Sequence, residues 1–202
     1  MTLDQTEIHS SDLLVDLHLG RLDDGDVPLL ALWRSFPLDA DWRGPWMVAG
    51  DVNGDGLCEL VNARVHDVDD VHTTVSVAVY DLNGNILWAW GDPATGGNAL
   101  HSDFACQLHD WDGDGVEEVV VATSQHLLVL NGADGSELDR LPLPHPAASD
   151  CITFARLDGS DKPAVPIVKT RYTDVWALHR DGTVRWHFRP PGGQKTAHQP
   201  YP

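Results

Sequence analysis

Apolar residues in this chain come in short runs rich in Val, Leu, Ile and Trp, and clusters of Asp, Asn and Gly separate the runs. Runs of this kind, bounded by turn residues, read as β-strands. Three stretches repeat one order of elements. Strands at 46–49, 104–109 and 152–155 each lead into an Asp-rich loop. The first two loops run into strands at 59–65 and 118–123, and the third into an apolar stretch ending at Val168. A hairpin comes next each time: 76–80 turns through 81–85 into 86–90, 127–130 through 131–135 into 137–141, and 175–178 through 179–182 into 183–188. Gly-containing turns between apolar strands are hairpin signals.

The unit is therefore strand, loop, strand, strand, turn, strand, within about 50 residues, which is the make-up of a propeller blade. The expected fold is all-β, a single repeat array of about 3.5–4 four-stranded antiparallel propeller blades over residues 1–202. The repeats fall at approximately 13–45, 46–92, 101–143 and 145–190, with 191–202 as the start of a further inner strand or a closing tail. The first repeat has strands at 13–19 and 29–33 but no room for an outer hairpin. Closed propellers have roughly four to eight blades. The count leaves three arrangements: a piece of a longer protein, a homodimer completing one propeller, or chain ends that share a blade. Trp88, Trp90, Trp176 and Trp186 lie in the outer hairpins and are expected to pack between neighbouring blades.

The loops carry the chemistry. Asp51, Asn53, Asp55 and Glu59 stand at positions 1, 3, 5 and 9 of the first, and Asp110, Asp112, Asp114 and Glu118 at the same positions of the second. Position 7, Leu57 or Val116, would add a backbone carbonyl. Oxygen ligands at this spacing wrap a hard cation, so two calcium sites are expected. The second, with four carboxylates, should bind more tightly. An EF-hand requires Glu at position 12, where this chain has Asn62 and Val121. Ordinary Asp/Gly turns use the same residues, but recurrence in one strand context favours metal. Degenerate copies at 21–32 and 156–168 have Arg at position 1, Pro at position 8 and no acid at position 9. They are expected to be metal-free turns.

Charge narrows the partners. The chain has 31 Asp+Glu against 13 Lys+Arg, formally −18, which argues against nucleic acid, a ligand that needs basic patches. No apolar run is long enough to span a membrane and no signal peptide is read. Calcium loops of modest affinity suit a secreted or extracellular setting. Cys58, Cys106 and Cys151 are odd in number and lack metal-ligand spacing, so no disulfide is expected.

The loops 51–59 and 110–118, each followed by an apolar strand, resemble the calcium-binding FG-GAP-type propeller repeat. More narrowly, segments 50–60, 167–172, 175–178 and 198–202 resemble the propeller of family 11 rhamnogalacturonan lyases. That resemblance implies an acidic polysaccharide at the ring axis and β-elimination at a uronate. Such a reaction must neutralise a carboxylate, remove a proton and protonate a leaving oxygen. The candidate catalytic residues are His101, His145 and His198, each just before an inner strand, and Lys169, Arg171 and Tyr172 at the end of a strand. The plain alternative is that these are polar residues of inter-blade loops. His109, beside Asp110, reads as a structural neighbour of the second loop. Two other functions stay open: a non-catalytic carbohydrate-binding or adhesion propeller, and a structural module in which calcium pins loops.

Overall fold

The structure is a computed structural model that describes residues 33–68, 71–96, 105–159, 162–189 and 191. By internal contacts the chain divides into residues 1–37 and 38–202. All the described strands belong to the second unit. Its architecture is all-β, three four-stranded antiparallel sheets in which each strand pairs with the next in sequence. The first sheet is β1 (Trp46–Gly50), β2 (Glu59–Val68), β3 (Val71–Tyr80) and β4 (Ile86–Gly91). The second is β5 (Cys106–His109), β6 (Glu118–Ala122), β7 (His126–Leu130) and β8 (Glu137–Pro142). The third is β9 (Cys151–Ala155), β10 (Val165–Lys169), β11 (Val175–Leu178) and β12 (Val184–Phe188). A single 3-10 turn, Pro93–Thr95, is the one helical element among the described residues.

The first strands lie side by side, β1 against β5 and β5 against β9. The middle sheet is consequently buried on both faces, as its continuous apolar runs require. Val119, Val121, Leu128 and Leu130 join Val61, Val79 and Trp88 of the first sheet in one core. Their alternate neighbours Val120, Ala122, Leu127 and Val129 join Ile152 and Phe154 of the third sheet in the other. A bulge recurs at one register position in all three sheets, after Val79, Val129 and Ala177. It marks the repeat more faithfully than side-chain identity does.

A close backbone approach locks the first two sheets together. The turn between β7 and β8 sits on the first Asp loop so tightly that a Cβ on Gly132 would lie 2.1 Å from the Val52 carbonyl oxygen. The indole N–H of buried Trp88 donates to the Gly132 carbonyl at 2.6 Å. The third sheet repeats the device with other chemistry: Arg180, in the β11–β12 turn, donates to the Trp111 carbonyl and lies 3.9 Å over the Trp111 ring.

The strands expected at 13–19 and, but for Trp33, at 29–33 lie outside the described residues, as does the degenerate loop at 21–32. Other expectations are corrected. β2 and β3 run to ten residues each, well past the expected strands at 59–65 and 76–80. Trp88 is buried between the first two sheets and Trp176 is buried against Ala148 and Val168, but Trp186 is exposed. Cys58, Cys106 and Cys151 form no disulfide; burial pushes the Cys106 thiol up to about 12.

Candidate functional site: two aspartate loops and a cationic cleft

The two Asp loops share one hydrogen-bond pattern. In the first, Asp51 accepts the N–H groups of Gly54 (2.8 Å) and Gly56 (2.9 Å), Asn53 that of Asp55 (2.9 Å), and Asp55 that of Leu57 (2.8 Å). In the second, Asp110 accepts from Gly113 (2.7 Å) and Gly115 (3.2 Å), Asp112 from Asp114 (3.1 Å), and Asp114 from Val116 (2.8 Å). The position-9 acid closes each loop: Glu59 accepts from Val52 at 3.1 Å and Glu118 from Trp111 at 2.6 Å. Gly56 and Gly115 take φ of 83° and 93°, backbone that favours glycine and curls the acids inward.

Carboxylate oxygens of Asp110, Asp112 and Glu118 converge within 4.8 Å of one another, a cluster able to hold a metal ion. Asn53 takes the place of Asp112 in the first loop, so that loop gathers fewer charges. Burial raises the carboxyl pKa of both Glu59 and Glu118, and the neighbouring aspartates push in the same direction against the N–H bonds that lower it. A cation in either loop would relieve that repulsion. Glu117 ties the two loops together, its N–H donating to the Asp51 carbonyl at 3.4 Å.

The third, degenerate loop carries its own cation. Arg156 at position 1 donates to the carbonyl of Lys162 at position 7 at 2.7 Å. Asp158 at position 3 takes a bidentate pair from Arg185 on β12 at 2.5 and 2.6 Å. Guanidinium groups thus hold positions that oxygen ligands serve in a metal loop. His109 packs beside the second loop, stacked on Phe154 at 4.0 Å. Burial, then the Arg180 charge, lowers its pKa.

A second cluster forms at the other ends of the strands, where the β2–β3 and β10–β11 connections meet the run before β9. It lines a cavity of about 340 Å³ bounded by His145, Asp150, Arg171, Tyr172, Asp174, Trp176, His187 and Arg189. A neighbouring cavity of about 490 Å³ shares Val71, His145 and Ala147 with it and adds Thr73, Thr74, Thr123 and Ser124. The long β2–β3 hairpin is what brings His72 here, fully buried. Its Nδ1 lies 2.9 Å from Asp150 Oδ1. Arg171 Nη1 is 3.4 Å from His72 Nε2, and Lys169 Nζ is 3.4 Å from Asp150 Oδ2. The Arg171 guanidinium lies 5.4 Å from the Tyr172 ring centroid. The N–H of Ala147 donates to His145 Nδ1 at 3.1 Å, so the neutral His145 ring carries its proton on Nε2.

Asp174 anchors the far wall. Its carboxylate accepts from Arg189 Nε (2.9 Å) and Nη2 (2.8 Å) and from Thr173 Oγ1 (2.6 Å), and contacts His187 Nε2 at 2.5 Å. The His187 ring stacks on Trp176 at 4.9 Å. The Arg189 bond comes first among the causes that hold the Asp174 carboxyl well below the usual carboxylate range, and Thr173 and His187 add to it against burial. A depressed pKa stabilises the fold fully above the unfolded value, near 3.9, and that stabilisation is lost as pH falls below it. The native wall should therefore hold until pH falls well below 4, to the depressed value of the Asp174 carboxyl in the folded protein. Asp174→Asn should show the loosened wall already at neutral pH and little further change; an acid titration of near-ultraviolet circular dichroism on both proteins checks this.

Four of the six catalytic candidates come together here: His145, Arg171 and Tyr172 line the cleft, and Lys169 reaches it through Asp150. His101 and His198 lie outside the described residues. Sequence reasoning missed His72, Asp150, Asp174, His187 and Arg189. No local motif links them, since they arrive from β3, the run before β9, the β10–β11 turn, and β12 with the residue after it.

No protein-family model matches this chain, and no curated protein matches it. Among solved structures, the V. cholerae biofilm matrix protein Bap1 is similar at 22% identity and a TM-score of 0.46, over 74% of this chain and 21% of that one. BBS1N, in a complex with ARL6DN, is similar at 14% identity and a TM-score of 0.45, over 74% of this chain and 41% of that one. The chain thus spans less than half the length of either. Neither likeness bears on function.

Proposed function

We propose that this chain is a calcium-binding repeat protein of the β-propeller type that recognises acidic polysaccharide through the His145–Arg189 cleft. Calcium at Asp51–Glu59 and Asp110–Glu118 pins the loops at one end of the sheets, and the cleft engages the glycan at the other. A chain of this kind belongs in an extracellular, calcium-rich setting.

The observation that carries the glycan reading is the gathering of Lys169, Arg171 and Arg189 around one cleft in a chain of net charge −18. Two carboxylates in the cleft, Asp150 and Asp174, are buried. A concave cationic site on an acidic surface focuses anions into itself, and guanidinium forks match carboxylate geometry. The adjoining Thr73, Thr123 and Ser124 supply hydroxyls suited to neutral sugar units.

Calorimetric titration with a polyuronate and with a neutral polysaccharide of similar length tests this reading. The polyuronate is expected to bind and the neutral polymer to bind far more weakly. Arg171→Ala is expected to weaken polyuronate binding by roughly 10- to 100-fold, the range for a charge-assisted contact of about 1.5–3 kcal/mol. Equal binding of both polymers, or of neither, would remove the proposal.

A lyase reading has one observation in its favour: His145, Lys169, Arg171 and Tyr172 reach the same cleft. Arg171 or Lys169 would neutralise the uronate carboxylate. A base would take the C5 proton as the C4–O bond breaks and C4=C5 forms, and an acid would protonate the leaving oxygen. Growth of ultraviolet absorbance from unsaturated uronate, abolished in His145→Ala, would establish it. Binding without turnover would leave the non-catalytic reading.

A further inference from the structure

The two Asp loops meet through the backbone that carries their ligands. The N–H of Glu117, at position 8 of the second loop, donates to the carbonyl of Asp51, at position 1 of the first. A Cβ on Gly54, at position 4 of the first loop, would lie 3.0 Å from Val116 Cγ2, at position 7 of the second. Gly132 packs against both, since its Cβ would lie 2.1 Å from the Val52 carbonyl oxygen and 2.5 Å from that of Glu117. The peptide unit that makes the bond between the loops is planar. One edge of it is the Glu117 N–H, and the other is the Val116 carbonyl, the group read as the position-7 ligand of the second loop. The third loop lacks this device. Its position 8 is Pro163, which has no N–H to give. The second and third sheets are joined near that point by a side chain instead, Arg180 on the Trp111 carbonyl.

We propose that the two Asp loops take up their cations cooperatively, coupled through the Val116–Glu117 peptide. The inference rests on the reading of both loops as calcium sites and is independent of the glycan cleft. With its carbonyl engaged, the Val116–Glu117 peptide loses rotational freedom and its N–H becomes a stronger donor. The bond to Asp51 tightens, and the residue that opens the first loop is held in place. Its carboxylate already gathers the N–H groups of Gly54 and Gly56, so fixing Asp51 fixes the loop around it. By linkage, ordering of Asp51 prepares the Val116 carbonyl by the same factor. Repulsion between two divalent ions opposes this coupling. Asp55 and Asp112 lie exposed in their loops, and salt screens exposed charges over about 8 Å at physiological ionic strength, so the ordering outweighs the repulsion. Pro163 confines the coupling to the first two loops.

Calorimetric titration with calcium at physiological ionic strength tests it. Asp112→Ala leaves the first loop to bind alone, and Asp55→Ala leaves the second. The overall constant for filling both loops of the native protein should exceed the product of those two single-loop constants by about 5-fold or more. Glu117→Pro copies the residue that the third loop already carries at this position. It should still bind two ions, with the excess lost when measured against the single-loop variants in the same background. An overall constant equal to the product or below it would overturn the coupling and leave both sites standing. An excess that survives Glu117→Pro would overturn the assigned route. Titrations without heat in the native protein and in both single-loop variants would remove the calcium reading itself, and the coupling with it. If Glu117→Pro fails to fold, the comparison of the native protein with the single-loop variants decides alone.

Discussion

Chelating calcium should lower the melting temperature by roughly 10–20 °C, and Asp112→Ala should remove about half of the calcium-dependent shift. Mass action sets the size of the effect. An ion that binds only the folded state at about 100 times its Kd contributes about 2.7 kcal/mol per site. In a domain of this size each kcal/mol moves the melt by about 2–4 °C. Asp112 is a clean probe because it belongs to the converging carboxylate cluster and yet is exposed. Its carboxylate accepts the Asp114 N–H, a loss of about 1 kcal/mol at most without metal. The variant and the native protein should consequently melt within a few degrees of each other in chelator and separate in calcium. Identical melts of the native protein in calcium and in chelator would contradict the metal assignment.

Gly132→Ala should lower the melt by on the order of 10 °C, while Gly56→Ala should lower it by only a few degrees. The two glycines are needed for different reasons. At Gly132 a methyl group would lie 2.1 Å from the Val52 carbonyl oxygen and 2.5 Å from that of Glu117. Both are backbone atoms of the Asp loops and cannot swing aside. Overpacking of this kind costs about 1–3 kcal/mol, and separating the sheets enough to relieve it breaks the Trp88 indole bond, worth about 1 kcal/mol more. At Gly56 nothing lies within 4 Å, and only the left-handed backbone resists a side chain, at about 1–2 kcal/mol. Thermal melts of the pair separate steric closure from backbone strain. Equal losses would mean that the first two sheets meet more loosely than this geometry requires.

What the sequence revealed and what it hid divide by range. The spacing of acids in the Asp loops is local, so the repeat of positions 1, 3, 5 and 9 could be read directly, and the two loops fold with matching N–H bonds. Strands bounded by Gly turns were legible for the same reason. The start of β3 was not: His72 and Thr74 are polar, yet they occupy its buried face. The energy that keeps them there is non-local, from Asp150 against His72 and from the Ala105 carbonyl, which accepts from Thr74 Oγ1 at 2.8 Å. A hydrophobicity pattern assigns such residues to a loop. The cleft was half visible: His145, Lys169, Arg171 and Tyr172 stood out by chemistry, whereas Asp174 and Arg189 acquire meaning only once β11 and β12 fold back beside each other. Trp186 was expected between blades, as Trp88 was, and its exposure is a tertiary fact that no local pattern carries.

The proposed function rests first on calcium in both matching loops, and calorimetric titration of the chelator-stripped protein with calcium is the decisive measurement. Two ions should bind per chain, one of them lost in Asp112→Ala, with the tighter event belonging to the second loop. A flat titration of the folded protein, or an unchanged stoichiometry in Asp112→Ala, would contradict the assignment.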